Sequence, residues 1–290
     1  MGFMKIPNLY KEQDILIFKE CYALEKIHGT SAHVSCSNEG IKFFSGGATY
    51  ELFVTLFDKE ALAQRFSDMF SVQLMDRKVT VYGEAYGGKL QRMSNTYGPN
   101  LKFVVFDVQV GESWLPVPHA EKVANNLGLE FVHYEKVPTT LEELDRVRDQ
   151  ESIQAIRNGM GPGKMREGVV LRPLIELKKN NGDRIIAKHK GKNFQETATA
   201  RPIDDPAKLK ILEDAQAIAD EWCVSHRLEH ILGKMQEPKI EQMRDIILAM
   251  QEDIKIEAAG EIVWSEDVCK AIGKKTAQLA KIYFKNQLKD

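Results

Sequence analysis

Several things are scarce in this sequence. Its four cysteines, Cys21, Cys36, Cys223 and Cys269, are scattered over 290 residues without a Cys-x-x-Cys pair. That spacing excludes a zinc ribbon and a dense disulfide framework, and makes a reducing, intracellular setting the default expectation. Long hydrophobic runs are missing too, and Met1 to Tyr10 lacks the apolar core of a secretory signal. A soluble, untargeted chain with no membrane partner is therefore expected. Neither sign of charge dominates: 40 Lys and Arg face 42 Asp and Glu, a formal net charge of −2. Any polyanionic partner must then be met by a local patch. Internal repeats and low-complexity tracts are also lacking, which leaves an ordinary globular chain long enough for two domains.

Charge is unevenly placed. Between Lys164 and Lys192 nine Lys and Arg stand against three acids, a basic segment in a neutral chain. The pattern up to about residue 200 is one of strands interrupted by helices. Cys21 to Glu25 and Ser31 to Cys36 read as strands, with Ala32, Val34 and Cys36 on one face, and Asn38-Glu39-Gly40 turns the chain back into Ile41 to Phe44. Val79 to Glu84 and Leu101 to Val110 are rich in Val, Tyr and Phe and read as buried strands. A helix is expected around Ala120 to Leu127, a strand over Glu130 to Val137, and a second helix opened by Thr140 with Glu143 as a capping box. Gly159 to Gly163 reads as a loop, and Gly168 to Leu171 and Arg184 to Lys190 as strands joined through Asn180-Asn181-Gly182-Asp183.

The character changes near Ala198 to Pro206, where Asp205 suits a helix cap and Pro206 its first turn. Beyond it Leu209, Leu212, Ala215, Ala219 and Trp222 recur at helical steps, as do Met243, Ile247, Met250 and Ile254. The fold class expected is α+β: a domain over residues 1–203 of mostly antiparallel sheets flanked by helices, followed by an all-helical domain over 204–290. From Pro206 onward 13 Lys and Arg face 15 Asp and Glu, so the helical part is no basic clamp overall.

Five stretches carry chemistry, in this order: Glu25-Lys26-Ile27-His28-Gly29-Thr30, Val81-Tyr82-Gly83-Glu84, Phe103-Val104-Val105-Phe106-Asp107, Glu167-Gly168-Val169-Val170-Leu171-Arg172, and Ala187-Lys188-His189-Lys190. Alone, a Lys before a Gly loop is weak evidence. Lys188 and Lys190 are two apart on a strand, so both leave one face and can converge on a phosphate; guarding a solvated edge strand is the plain alternative. Phe106 reads equally as core packing or as a stacking ring. Asp107 is harder to place as core, since an unpaired carboxylate in a Val/Phe strand is unfavourable.

Taken together, the five ordered stretches resemble the motifs of the covalent nucleotidyltransferase superfamily, the ATP-dependent ligases and mRNA capping enzymes, over roughly Tyr22 to Lys192. His28, with Glu25 before Lys26 and Thr30 after Gly29, resembles the phage-type RNA ligase 2 branch. The resemblance makes the first domain an adenylyltransferase domain, and implies that Lys26 is the nucleophile that takes AMP from ATP. Leu24, Glu25, Ile27, Gly29, Glu84 and Phe106 then line the nucleotide, with Phe106 stacked on adenine. Lys188 and Lys190 contact the α-phosphate, and His28 orients the leaving group or its metal. Glu167, and with it Glu84, holds Mg2+ or Mn2+. Arg166 and Lys192 are candidate RNA contacts. Attack on phosphorus needs a neutral amine, whereas an ordinary Lys, with a pKa near ~10.4, is almost wholly charged at neutral pH. Nearby cations favour the neutral form, and Lys188, Lys190 and the metal are the candidates.

The sequence departs from that branch at two points. Ser31 stands where Asn is common, and Ser45-Gly46-Gly47 where an Arg is often found. Arg92, Arg166 and Arg184 are candidates for the missing cation, and the Gly46-Gly47 amides are candidates for phosphate contact. The implied activity is three-step joining of a 5′-phosphate to a 3′-hydroxyl in RNA through lysyl-AMP and an adenylylated 5′ end, at nicks in duplexes, by a monomer. Its setting is cytoplasmic, a host's if the chain is phage-encoded. No pattern of short strands follows residue 203, which argues against a standard DNA ligase or capping enzyme. A related nucleotidyltransferase with another acceptor, or a non-catalytic nucleotide- or RNA-binding protein, remains the alternative reading.

Overall fold

The computed structural model describes residues 2–70, 78–199, 201, 203 and 212–287, and divides into two compact units, Met1–Gly191 and Lys192–Asp290. It is a mixed α+β fold with two antiparallel sheets and a helical carboxyl-terminal region.

In the first unit, sheet one has the order β7-β1-β8-β9, with β1 Glu20–Lys26, β7 Tyr134–Pro138, β8 Gly168–Pro173 and β9 Ala187–Lys190. Sheet two has the order β3-β2-β4-β5-β6, with β2 Thr30–Ser37, β3 Gly40–Ser45, β4 Val79–Gly87, β5 Leu101–Val110 and β6 Ser113–Trp114. The β2–β3 hairpin closes where Gly40 takes a positive φ of 95°, as the Asn-Glu-Gly turn requires. Leu24, Ile27, Val34, Val81, Val104 and Val105 bury their side chains in one core drawn from both sheets. Helices α1 (Tyr50–Val54) and α2 (Lys59–Met69) flank β3; Thr49 and Asp58 cap them by accepting from the Leu52 and Ala61 N–H groups. Helix α3 (Val117–Asn126) packs on β5. Helix α4 (Leu141–Arg148) packs on β1, β7, β8 and β9 and is followed by the short α5 (Ile153–Arg157).

Three expectations shift in detail. The run Glu130 to Val137 serves both sheets. The Val105 N–H donates to the Glu130 carbonyl and the Val132 N–H to the Val105 carbonyl, beside β5, and only Tyr134–Pro138 then joins β1. Likewise Arg184 bridges Lys178 and Ile185 bonds Leu177, so only Ala187–Lys190 pairs with β8. At Thr140 half of the capping box forms: its side chain accepts the Glu143 N–H, while the Glu143 carboxylate takes Arg146.

In the second unit, α6 (Ala215–Trp222), α7 (Ser225–Lys234), α8 (Met243–Glu257) and α9 (Glu266–Gln287) share a core of Ile218, Trp222, Leu228, Ile231, Met250, Ile254 and Ile272. The buried stripe of α8 runs through Ile246 rather than Ile247, which is half-buried, because Ile246, Met250 and Ile254 repeat at a strict four-residue step. Asp205, Pro206 and Leu209, expected at the start of a helix, lie outside the described residues.

Candidate active site

Strand register builds the site. Lys26, the last residue of β1, lies opposite Gly168 of β8, and Gly168 lies opposite Lys190 of β9. Residues directly opposite in a sheet share a face, so the two lysines flank a position with no side chain. Glu167 fills that gap. Its Oε2 is 2.9 Å from Lys26 Nζ and 3.2 Å from His28 Nδ1, and its Oε1 is 3.0 Å from Lys190 Nζ. Only glycine fits between them. Gly168 has φ of 153°, and a Cβ there would lie 2.2 Å from the His189 carbonyl oxygen.

Burial of the Glu167 side chain, which is 2% exposed, works against its charge. Lys26, Lys190 and His28 nevertheless hold its carboxyl well below the usual range, so it is an anion. One rung further, Leu24, Val170 and Lys188 lie side by side on the same face, which puts Lys188 next to Lys190. His189 points the other way, with Nε2 2.6 Å from Asp145 of α4.

Sheet two supplies the facing carboxylate. Glu84 Oε1 accepts the Gly29 N–H at 3.1 Å, and Gly29 is pressed so closely on β4 that a Cβ would lie 2.3 Å from the Ala85 carbonyl oxygen. Burial pushes Glu84 up to about 8; nearby Glu167 adds to this, while Lys26, the Gly29 N–H and Lys190 oppose it. The His28 N–H donates to the Tyr97 hydroxyl at 3.2 Å, so the loop after Lys26 is held from both flanks. Tyr97 was not singled out in the sequence; it lies between the second and third stretches, and nothing in its spacing marks it.

The ionised Glu167 carboxylate fits one position on a divalent cation and Glu84, once the cation displaces its proton, a second, with the remaining oxygens coming from phosphates and water. A self-sufficient cage is not present: among the described residues no group of three or more His, Cys, Asp or Glu side chains is arranged to hold a metal.

Leu24 and Ile27 are core residues. The Glu25 side chain turns away from Lys26, accepting from Ser152 Oγ at 2.5 Å and the Gln154 N–H at 3.2 Å at the start of α5, and burial raises its pKa. Phe106 is half-buried on β5. Asp107 is not unpaired: it is 1% exposed and lies 2.9 Å from Arg172 and 2.7 Å from Arg184, both of which also bind Glu176. Arg184 is therefore committed to a buried network and, in addition, lies over the Trp114 ring at 4.1 Å.

Arg166, expected as an RNA contact, is 2% exposed. Its guanidinium is buried and donates to the carbonyls of Val147 and Glu151. Nor does Arg166 supply a replacement cation to the cleft. The Gly46 N–H likewise is not offered to phosphate, since it donates to the Ser31 carbonyl at 2.9 Å. The basic segment thus spends much of its charge inside the fold: Arg172 and Arg184 on Asp107, Lys179 on Glu12 and Asp14, Lys190 on Glu167. Lys178 and Lys192 stay exposed. Among the described residues no helix is long and apolar enough to cross a membrane.

The structure is similar to the Naegleria gruberi RNA ligase with pyrophosphate, at 15% identity and a TM-score of 0.45, and to a mutant of it with ATP and manganese, at 13% and 0.46. Each match covers 67% of this chain and 57% of the other, so the chain spans little more than half the length of those relatives. No curated protein matches the chain. The family model described as RNA ligase matches residues 19–190, a span that begins just before β1, ends on Lys190 and takes in more than half of the sequence. The chain that sets Lys26, Glu167 and Lys190 across one sheet rung therefore belongs to the RNA ligase family.

Proposed function

We propose that this chain is an ATP-dependent RNA ligase whose Lys26 carries AMP. The observation that supports it most is the rung Lys26–Gly168–Lys190 bridged by the Glu167 carboxylate. In this reading Lys26 Nζ attacks the α-phosphorus of ATP, a P–N bond forms, and the bond to the pyrophosphate oxygen breaks. AMP then passes to an RNA 5′-phosphate, and a 3′-hydroxyl displaces it to seal the strand.

Each side chain has a reason to be where it is. Lys26 rests in an ion pair, which keeps it extended toward the cleft and in register with the phosphate-facing lysines. Lys190 lies on the other oxygen of the same carboxylate, so Glu167 holds the two amines side by side. Lys188 and Lys190 offset charge that builds on the α-phosphate. In this reading His28, 3.2 Å from Glu167, orients the leaving group or its metal, and Phe106 is the platform for the base. Mg2+ or Mn2+, held by Glu167 and Glu84 together with phosphate oxygens, would supply charge neutralisation during phosphoryl transfer. Lys192, exposed at the end of the basic segment, is an RNA backbone contact. The stretch Glu25-Lys26-Ile27-His28-Gly29-Thr30 supports placement in the phage-type RNA ligase 2 branch and, with it, sealing of nicks in duplexes by a monomer.

The test is joining. A nicked duplex carrying a 5′-phosphate and RNA on the 3′-hydroxyl side should be sealed with ATP and Mg2+, and less well when its terminal nucleotides are DNA. Equal sealing of all-DNA nicks would sink the RNA assignment.

A further inference from the structure

The amino-terminal segment runs from sheet two to sheet one, touching residues of both. At one end the Phe3 ring meets Phe106 edge-on, with centroids 4.9 Å apart and planes at 83°. The same ring touches Tyr82 at 5.1 Å and Trp114 at 5.4 Å. The Phe3 N–H donates to Ser31 Oγ at 3.1 Å. At the other end the chain lies along β9. The Lys188 N–H donates to the Pro7 carbonyl at 2.8 Å and the Leu9 N–H to the Lys188 carbonyl at 2.9 Å, with Asn8 and Lys188 forming a parallel bridge. Leu9 anchors this end, being 1% exposed.

We propose that residues 2–9 are a positioning strap for nucleotide binding, in which Phe3 fixes the Phe106 ring on β5 and Pro7–Leu9 fix the backbone of Lys188 on β9. The proposal rests on the reading of Phe106 as the base platform. Phe106 needs such support because of where it sits in the ladder. Tyr82 pairs with Asp107 and Gly83 with Val105, so Phe106 is the extra residue of a β-bulge and has no partner across the strand to set its orientation. Phe3 provides an edge contact in place of that partner.

Lys188 has the complementary problem. Its strand is the outer one of sheet one, and without Pro7–Leu9 the Lys188 N–H and carbonyl would have no ladder partner on that side. The strap fixes two walls at one separation, so that base and α-phosphate are received together. It also accounts for Ser31, whose hydroxyl serves as the anchor for the Phe3 amide rather than facing a metal.

The experiment uses the full chain and measures Lys26 adenylylation as a function of ATP concentration, together with the thermal midpoint. Phe3→Ala should raise KM for ATP roughly three- to tenfold, the equivalent of one lost aromatic contact, with the saturating rate within about twofold of wild type. Phe3→Leu, which refills the space, should recover most of the loss. Ser31→Ala, which removes only the amide anchor, should shift KM in the same direction by a smaller factor, and covers the case in which Phe3→Ala fails to fold. In a Phe106→Ala background Phe3→Ala should add nothing further. A raised KM in Phe106→Ala beside an unchanged KM in folded Phe3→Ala overturns the strap while leaving the platform standing. Unchanged KM in Phe106→Ala overturns the platform and the strap together, and full additivity in the double variant overturns the coupling between them.

Discussion

Replacing Glu167 by Gln tests the site at its most charged point. The change keeps size and shape but removes the anion that Lys26 and Lys190 share. Two ammonium groups seated on the two oxygens of one carboxylate lie roughly 6 Å apart, and at an effective dielectric near 20 they repel by about 3 kcal/mol. The groups are shielded from water to different degrees, at 22% exposure for Lys26, 9% for Lys190 and 2% for Glu167. Breaking a buried pair by removing one partner typically destabilises by about 3–5 kcal/mol, and the part-exposed Lys26 puts the expectation at the lower end. Urea unfolding at pH 7 should therefore show Glu167→Gln to be about 3 kcal/mol less stable than wild type, with adenylylation lost.

Acid should narrow that gap. The Glu167 carboxyl is held well below its ordinary value of 4.5, so its contribution is fully present above about 4.5 and is lost as pH falls through its folded pKa. Adding Lys190→Met to Glu167→Gln should restore part of the stability by removing one of the two repelling charges. A Glu167→Gln protein within about 0.5 kcal/mol of wild type at pH 7, or a double variant no better than the single one, would refute the bridge.

Glu84 should show the opposite dependence: with its carboxyl raised from 4.5 to about 8, wild type should lose stability between those values relative to Glu84→Gln, by about 2 kcal/mol after allowance for partial exposure, and a flat difference in pH-dependent melts would contradict this. Asp107→Ala, which leaves Arg172 and Arg184 buried beside Glu176 alone, should destabilise by about 3–5 kcal/mol by denaturant titration, without the pH signature expected at Glu167. Gly29→Ala should abolish adenylylation while the chain stays folded by circular dichroism, because the new methyl displaces the Lys26 loop from the Ala85 carbonyl; wild-type labelling of that variant would show that the close approach is dispensable.

The α+β class and the order of the strands through the site were legible because they depend on local signals. Apolar alternation, a Gly-containing turn and the i, i+2 spacing of Lys188 and Lys190 are all read within a few residues. Partnerships between distant residues were not legible. Nothing near Arg166 in sequence reveals that its guanidinium ends on the carbonyls of Val147 and Glu151, and the basic segment is therefore less exposed than its composition suggests. Asp107 looked unexplained because its partners lie 65 and 77 residues away. The split of Glu130 to Val137 between two sheets leaves no trace in the period of its side chains, since both halves remain extended. The bridging of Lys26 and Lys190 by Glu167 follows from register across three strands, which the five ordered stretches imply only once they are folded.

The most direct measurement is mass spectrometry of the chain after incubation with ATP and Mg2+. A single AMP adduct should be found on Lys26 and be lost in Lys26→Ala, with pyrophosphate reversing it. An adduct on another residue, or labelling undiminished in Lys26→Ala, would contradict the account.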